Sequence, residues 1–533
     1  MTSSRQTETE VLVVGGGPVG MALALDLMQR GVGCMVIDAS DGQVRHPKVS
    51  TIGPRSMELF RRWGLAGKIR SAGWPGDHPL DIAWVTQVGG YEIYRFDRGT
   101  ADSRPEFRHT PEPDQICPAH WFNPLLMKEV GTYPDGPIRL CHRVDRFEQD
   151  DDGVTAWITD TTTGESFAVR AAYLVACDGA ASPIRAACGI DAPARHEAQV
   201  FRNILFRAPE LPKQLAEQGR RRALVYFLML SATLRYPLRS LDGRDMFNLV
   251  VSAESAPDDP ASLVDDAIAF DTPTELLSDS TWHLTHRVAD RYRHGRVFLA
   301  GDAAHTLSPS GGFGLNTGIG DAADLGWKLA AQLSGWAGSE MLDCYETERR
   351  PVALRSLEAA NTNLRRTMSR ELPADLRAAS PEGEQARAEM ADRLQKSGAR
   401  SEFDAPEVHF GFCYSSPLVV GESTEISTDW RPGSDPGFRA AHAWLRPGLS
   451  TLDLFGRGFV LLCFEDSDRL DGVERAFAER RVPLDVTRCE DAEIAKLYGF
   501  PFVLVRPDGH VAWRGDHTPD DPGTLADVVR GAA

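Results

Sequence analysis

The 533 residues predict a mixed α/β fold: a parallel-sheet unit interrupted by a mainly β unit, then a helical stretch and a smaller α/β unit at the tail. Three observations carry this. Val11-Leu-Val-Val-Gly-Gly-Gly-Pro-Val-Gly20 runs four apolar β-formers into Gly15-x-Gly17-x-x-Gly20, and a helical pattern follows from Met21 to Arg30. Two further apolar strands end in a glycine beside an acid, at Asp178-Gly179 and at Gly301-Asp302. Between and after them, residues 138–170 and 200–290 switch to the short alternating runs of sheet structure.

The first motif reads as strand, tight turn and helix. Gly15 makes the turn, Gly17 lets backbone approach a pyrophosphate, and Gly20 lets the helix pack on the strand. The helix N-terminus offers free N–H groups to an anion. The next strand, Cys34-Met-Val-Ile-Asp38, ends in a carboxylate 18 residues past Gly20, where an acid binds a ribose hydroxyl. This is a Rossmann-like dinucleotide site; without a ligand the same residues would be only a βα turn. In the second motif, Asp178-Gly179 is followed by Ser182-Pro183, a helix start with proline at its first position. In the third, Gly301-Asp302 leads into Pro309-Ser-Gly-Gly312-Phe-Gly314-Leu-Asn316, a loop opening a helix over 315–333. Its glycines permit backbone contact with a flat ligand, and the helix dipole favours negative charge there, as on a reduced flavin.

Other elements follow from pattern. Pro54–Trp63 and Pro124–Val130 are helical. Strands are predicted at 138–141, 144–149, 154–160, 166–170, 223–230, 233–237, 246–252 and 296–300, with Asp150-Asp-Asp-Gly153 as a hairpin turn. The Arg- and Glu-rich stretch 342–396 predicts helices with a solvated face and many i,i+4 pairs. Ser, Pro and Gly gather at 397–430, and Phe502–Trp513 is a hairpin around Pro507-Asp-Gly.

Composition narrows the partners. A formal charge of −18 disfavours nucleic acid and anionic membranes. The nine scattered cysteines contain no CxxC pair, which predicts reduced thiols in a cytoplasmic protein and no metal site. Neither a signal peptide nor a membrane span is expected.

The three motifs in this order, with Asp321 and Trp327-Lys-Leu, resemble the FAD-dependent aromatic hydroxylases of the para-hydroxybenzoate hydroxylase fold, the class A flavoprotein monooxygenases. Leu452-Asp-Leu-Phe-Gly456 and Val505–Trp513 resemble the thioredoxin-like C-terminal domain of the phenol hydroxylase branch, which includes 2,4-dichlorophenol 6-monooxygenase and polyketide-tailoring hydroxylases. The resemblance implies an FAD-binding domain from 1–75, 115–195 and 290–350, and a substrate-binding β domain from 76–114 and 196–289. It further implies a helical segment at 351–400 and a thioredoxin-like domain at 401–533. It also implies FAD contacts at Gly15, Gly17, Pro18, Val19, Gly20, Asp38, Ala39, Lys48, Ala119, Val144, Asp178, Gly179, Gly301, Asp302, Pro309, Gly312, Gly314, Leu315 and Asn316. Two positions depart from the family habit: Pro47-Lys48-Val49 replaces Pro-Arg-Ala, and Ala119-His120 stands where relatives carry Gln. The tail, lacking CxxC, is expected to serve packing or a homo-oligomer contact.

The implied reaction hydroxylates a phenolic or related aromatic ring through a flavin C4a-hydroperoxide, using O2 and a transient NADPH or NADH. Candidate ring-site residues are Tyr226, Arg235, Tyr236 and His283, with the Pro309 carbonyl facing the ring; His305 is expected to be structural. No catalytic base is assigned. A small phenol and a bulky polyketide both stay open. The competing readings are a flavin reductase of the same fold and a non-catalytic FAD-binding scaffold.

Overall fold

The computed structural model describes residues 7–47, 51–104, 107–134, 137–231, 233–254, 256–421 and 430–533. Thr7–Val14 lies between Cys34–Ile37 and Ser166–Ala176, parallel to both, and Val297–Leu299 adds a further parallel strand beyond Ser166–Ala176. Parallel strands are covered on both faces, so their side chains read as continuous apolar runs, as at Val11–Val14 and Leu174–Ala176, all buried. Ser166–Ala176 is one strand where two were expected. Ser166–Ala171 pairs antiparallel with Val154–Asp160 on one side, and Val169–Ala176 pairs parallel with Thr7–Val14 on the other. The alternating outer pattern and continuous inner pattern record the two environments of one strand.

The second sheet has eight strands in the order His305–Thr306, Glu275–Val288, Ala194–Arg207, Met246–Ser252, Pro237–Ser240, Val225–Leu228, Ile82–Val85 and Glu92–Phe96. Its first strand follows the third motif directly. The chain leaves the parallel sheet at Leu299, turns through Gly301–Ala303, and pairs with Glu275–Val288 at His305. This short crossing sets the Gly301-Asp302 corner at the junction of the two sheets.

Helix Phe313–Leu333 packs along the first helix, Pro18–Gln29. Glycines allow the approach: a Cβ at Gly326 would stand 2.3 Å from Asp26 Oδ2, and one at Gly318 would stand 3.1 Å from Gly301 Cα. The predicted helix at 124–130 begins earlier, at Ala119, and carries Pro124 inside it. Residues 233–237 are not a strand; the chain turns before Pro237, where the strand begins.

The polar stretch 342–396 also departs from expectation. Helix Cys344–Met368 buries Tyr345, Glu348, Arg349, Ser356, Asn361 and Asn363, because its charged groups meet partners from the long helix and the tail; Pro381–Lys396 is the more solvated helix. The tail places Leu484–Arg488, Phe459–Cys463, Phe502–Val505 and Val511–Gly515 in a four-stranded mixed sheet with helices Leu470–Glu479, Ala492–Tyr498 and Pro522–Val529. That is the thioredoxin-like arrangement: a parallel pair, then an antiparallel hairpin. Among the described residues no cysteine is in a disulfide and no helix is long and apolar enough to cross a membrane.

Candidate active site

Both glycine motifs end in helices with uncapped N-termini that face one cavity. Helix Pro18–Gln29 starts at Gly17 with no side-chain cap, and a Cβ at Gly17 would meet nothing within 4 Å. Helix Phe313–Leu333 starts at Gly312, in the left-handed conformation at φ 67°, also without a side-chain cap. The cavity between them has a volume of about 800 Å³. Free N–H groups of two helix termini suit an anionic diphosphate at one end and a reduced flavin at the other.

Of the positions expected to hold FAD, Gly17, Pro18, Val19, Ala119, Gly179, Asp302, Pro309, Gly312, Gly314, Leu315 and Asn316 line this cavity. Gly15 and Gly20 lie beneath its wall and shape it. Gly15 sits at φ 113° with its would-be Cβ 2.1 Å from Cys177 O, and a Cβ on Gly20 would stand 2.0 Å from Gly15 O. Gly301, at φ 60°, turns the chain so that the exposed Asp302 reaches the cavity. Asp178 sits just behind Gly179. Burial raises its pKa, its Oδ2 accepts from Ile184 N at 3.2 Å, and its Oδ1 is buried with no partner among the described residues. These groups fit FAD.

Three expected contacts lie elsewhere. Asp38 accepts from Gly16 N at 2.5 Å and from Ser40 N at 2.7 Å, bracing the turn behind the cavity wall. Ala39 is exposed beside it, and Val144 pairs with Ile158 and packs on the core of the first sheet. Lys48 lies outside the described residues.

The ring-site expectations are redistributed. Alternation along Val225–Leu228 puts Val225 on the cavity and turns Tyr226 into the opposite core, where its hydroxyl accepts from Ala223 N at 2.8 Å. Burial raises that phenol to about 12. Tyr236 packs edge-on against Phe201. Arg235 donates to the Met368 carbonyl and lines a separate depression. His283 is exposed on Glu275–Val288. Pro309 alone of the tentative pocket lines the cavity. The reason is local: the strand begins at Pro237, so Arg239 within it, and not Arg235 before it, reaches the wall. His305 is buried and bonded to Asp321 at 2.8 Å, a structural arrangement.

Several wall residues carried no local signal in the chain. Arg98 and Arg104 both pair with Asp114. Burial works to raise Asp114, but the two guanidinium groups outweigh it and hold the carboxyl below its usual range. His409 is pushed down to about 4 by burial, so it is neutral at pH 7. The half-buried Arg239 has its Nε shielded from water and unpartnered among the described residues. Burial lowers its pKa, and the nearby buried Glu402 acts in the opposite sense. Phe96, Phe403, Phe410, Leu224 and Val225 supply apolar wall. Glu402 to Phe410 come from the stretch expected to belong to the tail; only the tertiary fold brings them over the cavity.

Comparison with known proteins accords with this geometry. Residues 8–360 match the FAD binding domain family, and residues 434–532 match the aromatic-ring hydroxylase C-terminal family. Tetracenomycin B2 monooxygenase-dioxygenase of Streptomyces olivaceus is 33% identical, with 98% of each chain covered. The rebeccamycin biosynthetic enzyme RebC, solved with reduced flavin, is 62% identical with a TM-score of 0.95, covering 99% of this chain and 100% of that one. The flavin-dependent monooxygenase PieE, solved with FAD and substrate, is 28% identical with a TM-score of 0.86, covering 98% of each chain. With the two family matches spanning most of its length, the chain belongs to the FAD-dependent aromatic-ring hydroxylases and is a flavin monooxygenase.

Proposed function

We propose that this monooxygenase acts on a large, fused aromatic acid and that Arg239 receives its carboxylate. The observation that carries the reading is Arg239 itself: a guanidinium with a shielded, unpartnered Nε on the wall of a cavity that also exposes Asp302 and the 309–316 loop. A shielded Nε–H without a bonded partner is costly, and a ligand carboxylate removes that cost through charge-assisted hydrogen bonds. A crystal of RebC soaked with chromopyrrolic acid, 63% identical to this chain, holds 7-carboxy-K252c, a carboxylated ligand. That likeness and the aromatic wall favour a polycyclic acid over a small phenol.

When bound, FAD supplies the redox chemistry, passing two electrons from NAD(P)H to O2 so that one oxygen enters the ring and the other leaves as water. The chain's own residues bind, orient and dry the site. The uncapped termini at Gly17 and Gly312 receive negative charge. Phe96, Phe403 and Phe410 press on a flat ring and exclude water. The Arg98–Asp114–Arg104 group ties the 98–114 loops together at the cavity edge. Pro309 completes the proposed ring contacts, and Asp38 braces the Gly15–Gly17 turn from behind.

The test offers purified holoenzyme 7-carboxy-K252c, chromopyrrolic acid and a panel of simple phenols, each with NADPH or NADH. Expected is ligand-dependent O2 uptake and a product heavier by one oxygen with a polycyclic acid. Turnover restricted to simple phenols would reject the substrate class, and NAD(P)H-dependent reduction of a ligand without O2 uptake would favour the reductase.

A further inference from the structure

The Gly301-Asp302 corner is held from behind by a buried chain of bonds leading out of the FAD-binding stretch. Asp321 Oδ2 accepts from Gly301 N at 3.1 Å and bonds His305 Nε2 at 2.8 Å. Its other oxygen accepts from Arg349 Nε at 2.8 Å. Arg349 Nη2 donates to Thr317 O at 2.9 Å, and Nη1 donates to the Tyr414 hydroxyl at 2.9 Å. A Cβ at Gly320 would stand 2.6 Å from that guanidinium, so glycine leaves the room it needs. Tyr414 in turn belongs to the docked tail. Its N–H donates to Gly437 O, and its ring lies 4.2 Å from that of His510 on the tail hairpin. Asp321, His305, Arg349, Tyr414 and His510 are all buried, and Tyr414 falls outside both family matches.

We propose that Arg349 and Tyr414 are positioning residues through which the docked tail fixes the Gly301-Asp302 corner, so that FAD retention depends on a phenol outside the FAD-binding stretch. This rests on the reading that Asp302 faces the bound FAD. Arg349 is a planar fork with one edge committed to Asp321 and Thr317 and the other to Tyr414, so its orientation, and with it the Asp321 carboxylate, is set from both sides. Asp321 has one oxygen on the backbone N–H of Gly301, the left-handed residue that turns the chain into Asp302. A site residue stays in place only when the shell behind it is itself locked. Here the outermost lock is the tail.

The experiment follows FAD release from holoenzyme after dilution, by the rise in flavin fluorescence, alongside thermal unfolding of the same samples. Tyr414→Phe keeps the ring stack and removes only the acceptor of Arg349 Nη1. It should release FAD about 10-fold faster than wild type, the scale of a lost hydrogen bond to a charged group. Arg349→Lys, which cannot bridge Asp321 and Tyr414 together, should do the same. Ser416→Ala is the control: Ser416, in the same loop as Tyr414, donates to Glu348 Oε1 at 2.5 Å and takes no part in the Arg349 bonds. It should lower the unfolding temperature with FAD release unchanged. Unchanged release in Tyr414→Phe, or equal acceleration in Ser416→Ala, overturns the proposal as mere loosening. If wild-type protein retains no FAD, the cofactor assignment fails instead, and the outcomes are distinct.

Discussion

Arg239 separates electrostatic recognition from simple packing at the level of one residue. Arg239→Met keeps most of the stem and removes the charge. The expected result is a loss of about 1.5–3 kcal/mol in binding of a carboxylated ligand such as 7-carboxy-K252c. Binding of K252c and FAD content should stay unchanged, both followed by fluorescence titration. Equal loss for both ligands would mean that the side chain acts through shape. Gly20 makes the complementary case for backbone. A methyl there meets Gly15 O at 2.0 Å, which only backbone movement relieves. Gly20→Ala is therefore expected to cost about 1–3 kcal/mol in urea unfolding and to weaken FAD binding at the same time. Gly20 announces itself in the chain because its neighbours do; Arg239 does not, since its strand start at Pro237 is decided by a turn that resembles a strand in composition.

The loop and helix at 309–333 show how an element is placed. Asn316 accepts from Gly53 N at 2.7 Å and donates to Thr51 O and Gly312 O, tying the start of the long helix to the short strand Thr51–Ile52. Asn316→Ala leaves the Gly53 N–H without that partner. It is expected to destabilise the protein by about 1–3 kcal/mol, read by denaturant titration, and to shift the flavin absorption spectrum as the loop relaxes. The helix itself, its glycine-rich entry and the strand before it were all readable as pattern. The partner at 51–53 was not, because a hydrogen bond across more than 260 residues leaves no periodicity in either segment.

Across the whole molecule, the tail is joined to the FAD-binding stretch by buried charge. Arg506 bonds Glu348 through both terminal nitrogens, at 2.5 and 2.7 Å, and Asp508 at 2.6 Å; Lys328 bonds Asp324 and Glu348. Asp324, Glu348 and Asp508 stand as close as metal ligands, but these cations already occupy their oxygens. Burial raises Asp324 well above its usual range, while Lys328 and Arg506 beside it act in the opposite sense. Arg506→Met takes the guanidinium from Asp508 and leaves Glu348 with Lys328 and Ser416 alone, and is expected to cost about 3–5 kcal/mol in urea unfolding. Acid acts on the same scale. Burial pushes His78, His409, His442 and His510 down to about 4. Unfolded chain then binds more protons than folded chain between about 4 and 6.5, the unfolded value. Their contribution is complete above 6.5 and is lost as pH falls through that window. The unfolding temperature should therefore drop steadily from pH 6.5 to 4, and a flat profile there would contradict the burial of these rings.

The chain alone determined the α/β class, the glycine turns and the strand-to-helix transitions, because each depends on residues within about 30 positions whose spacing is dictated by backbone geometry, and the order of these motifs along the chain carried the family. It also carried the tail hairpin, through Pro507-Asp-Gly509. Only the tertiary structure decided which side of Val225–Leu228 faces the cavity, that residues 402–410 close over it, and that polar residues of Cys344–Met368 are buried. Those outcomes follow from partners far away in the sequence. A lone Arg, Glu or His has the same local pattern whether it meets water or a counter-charge brought from another sheet.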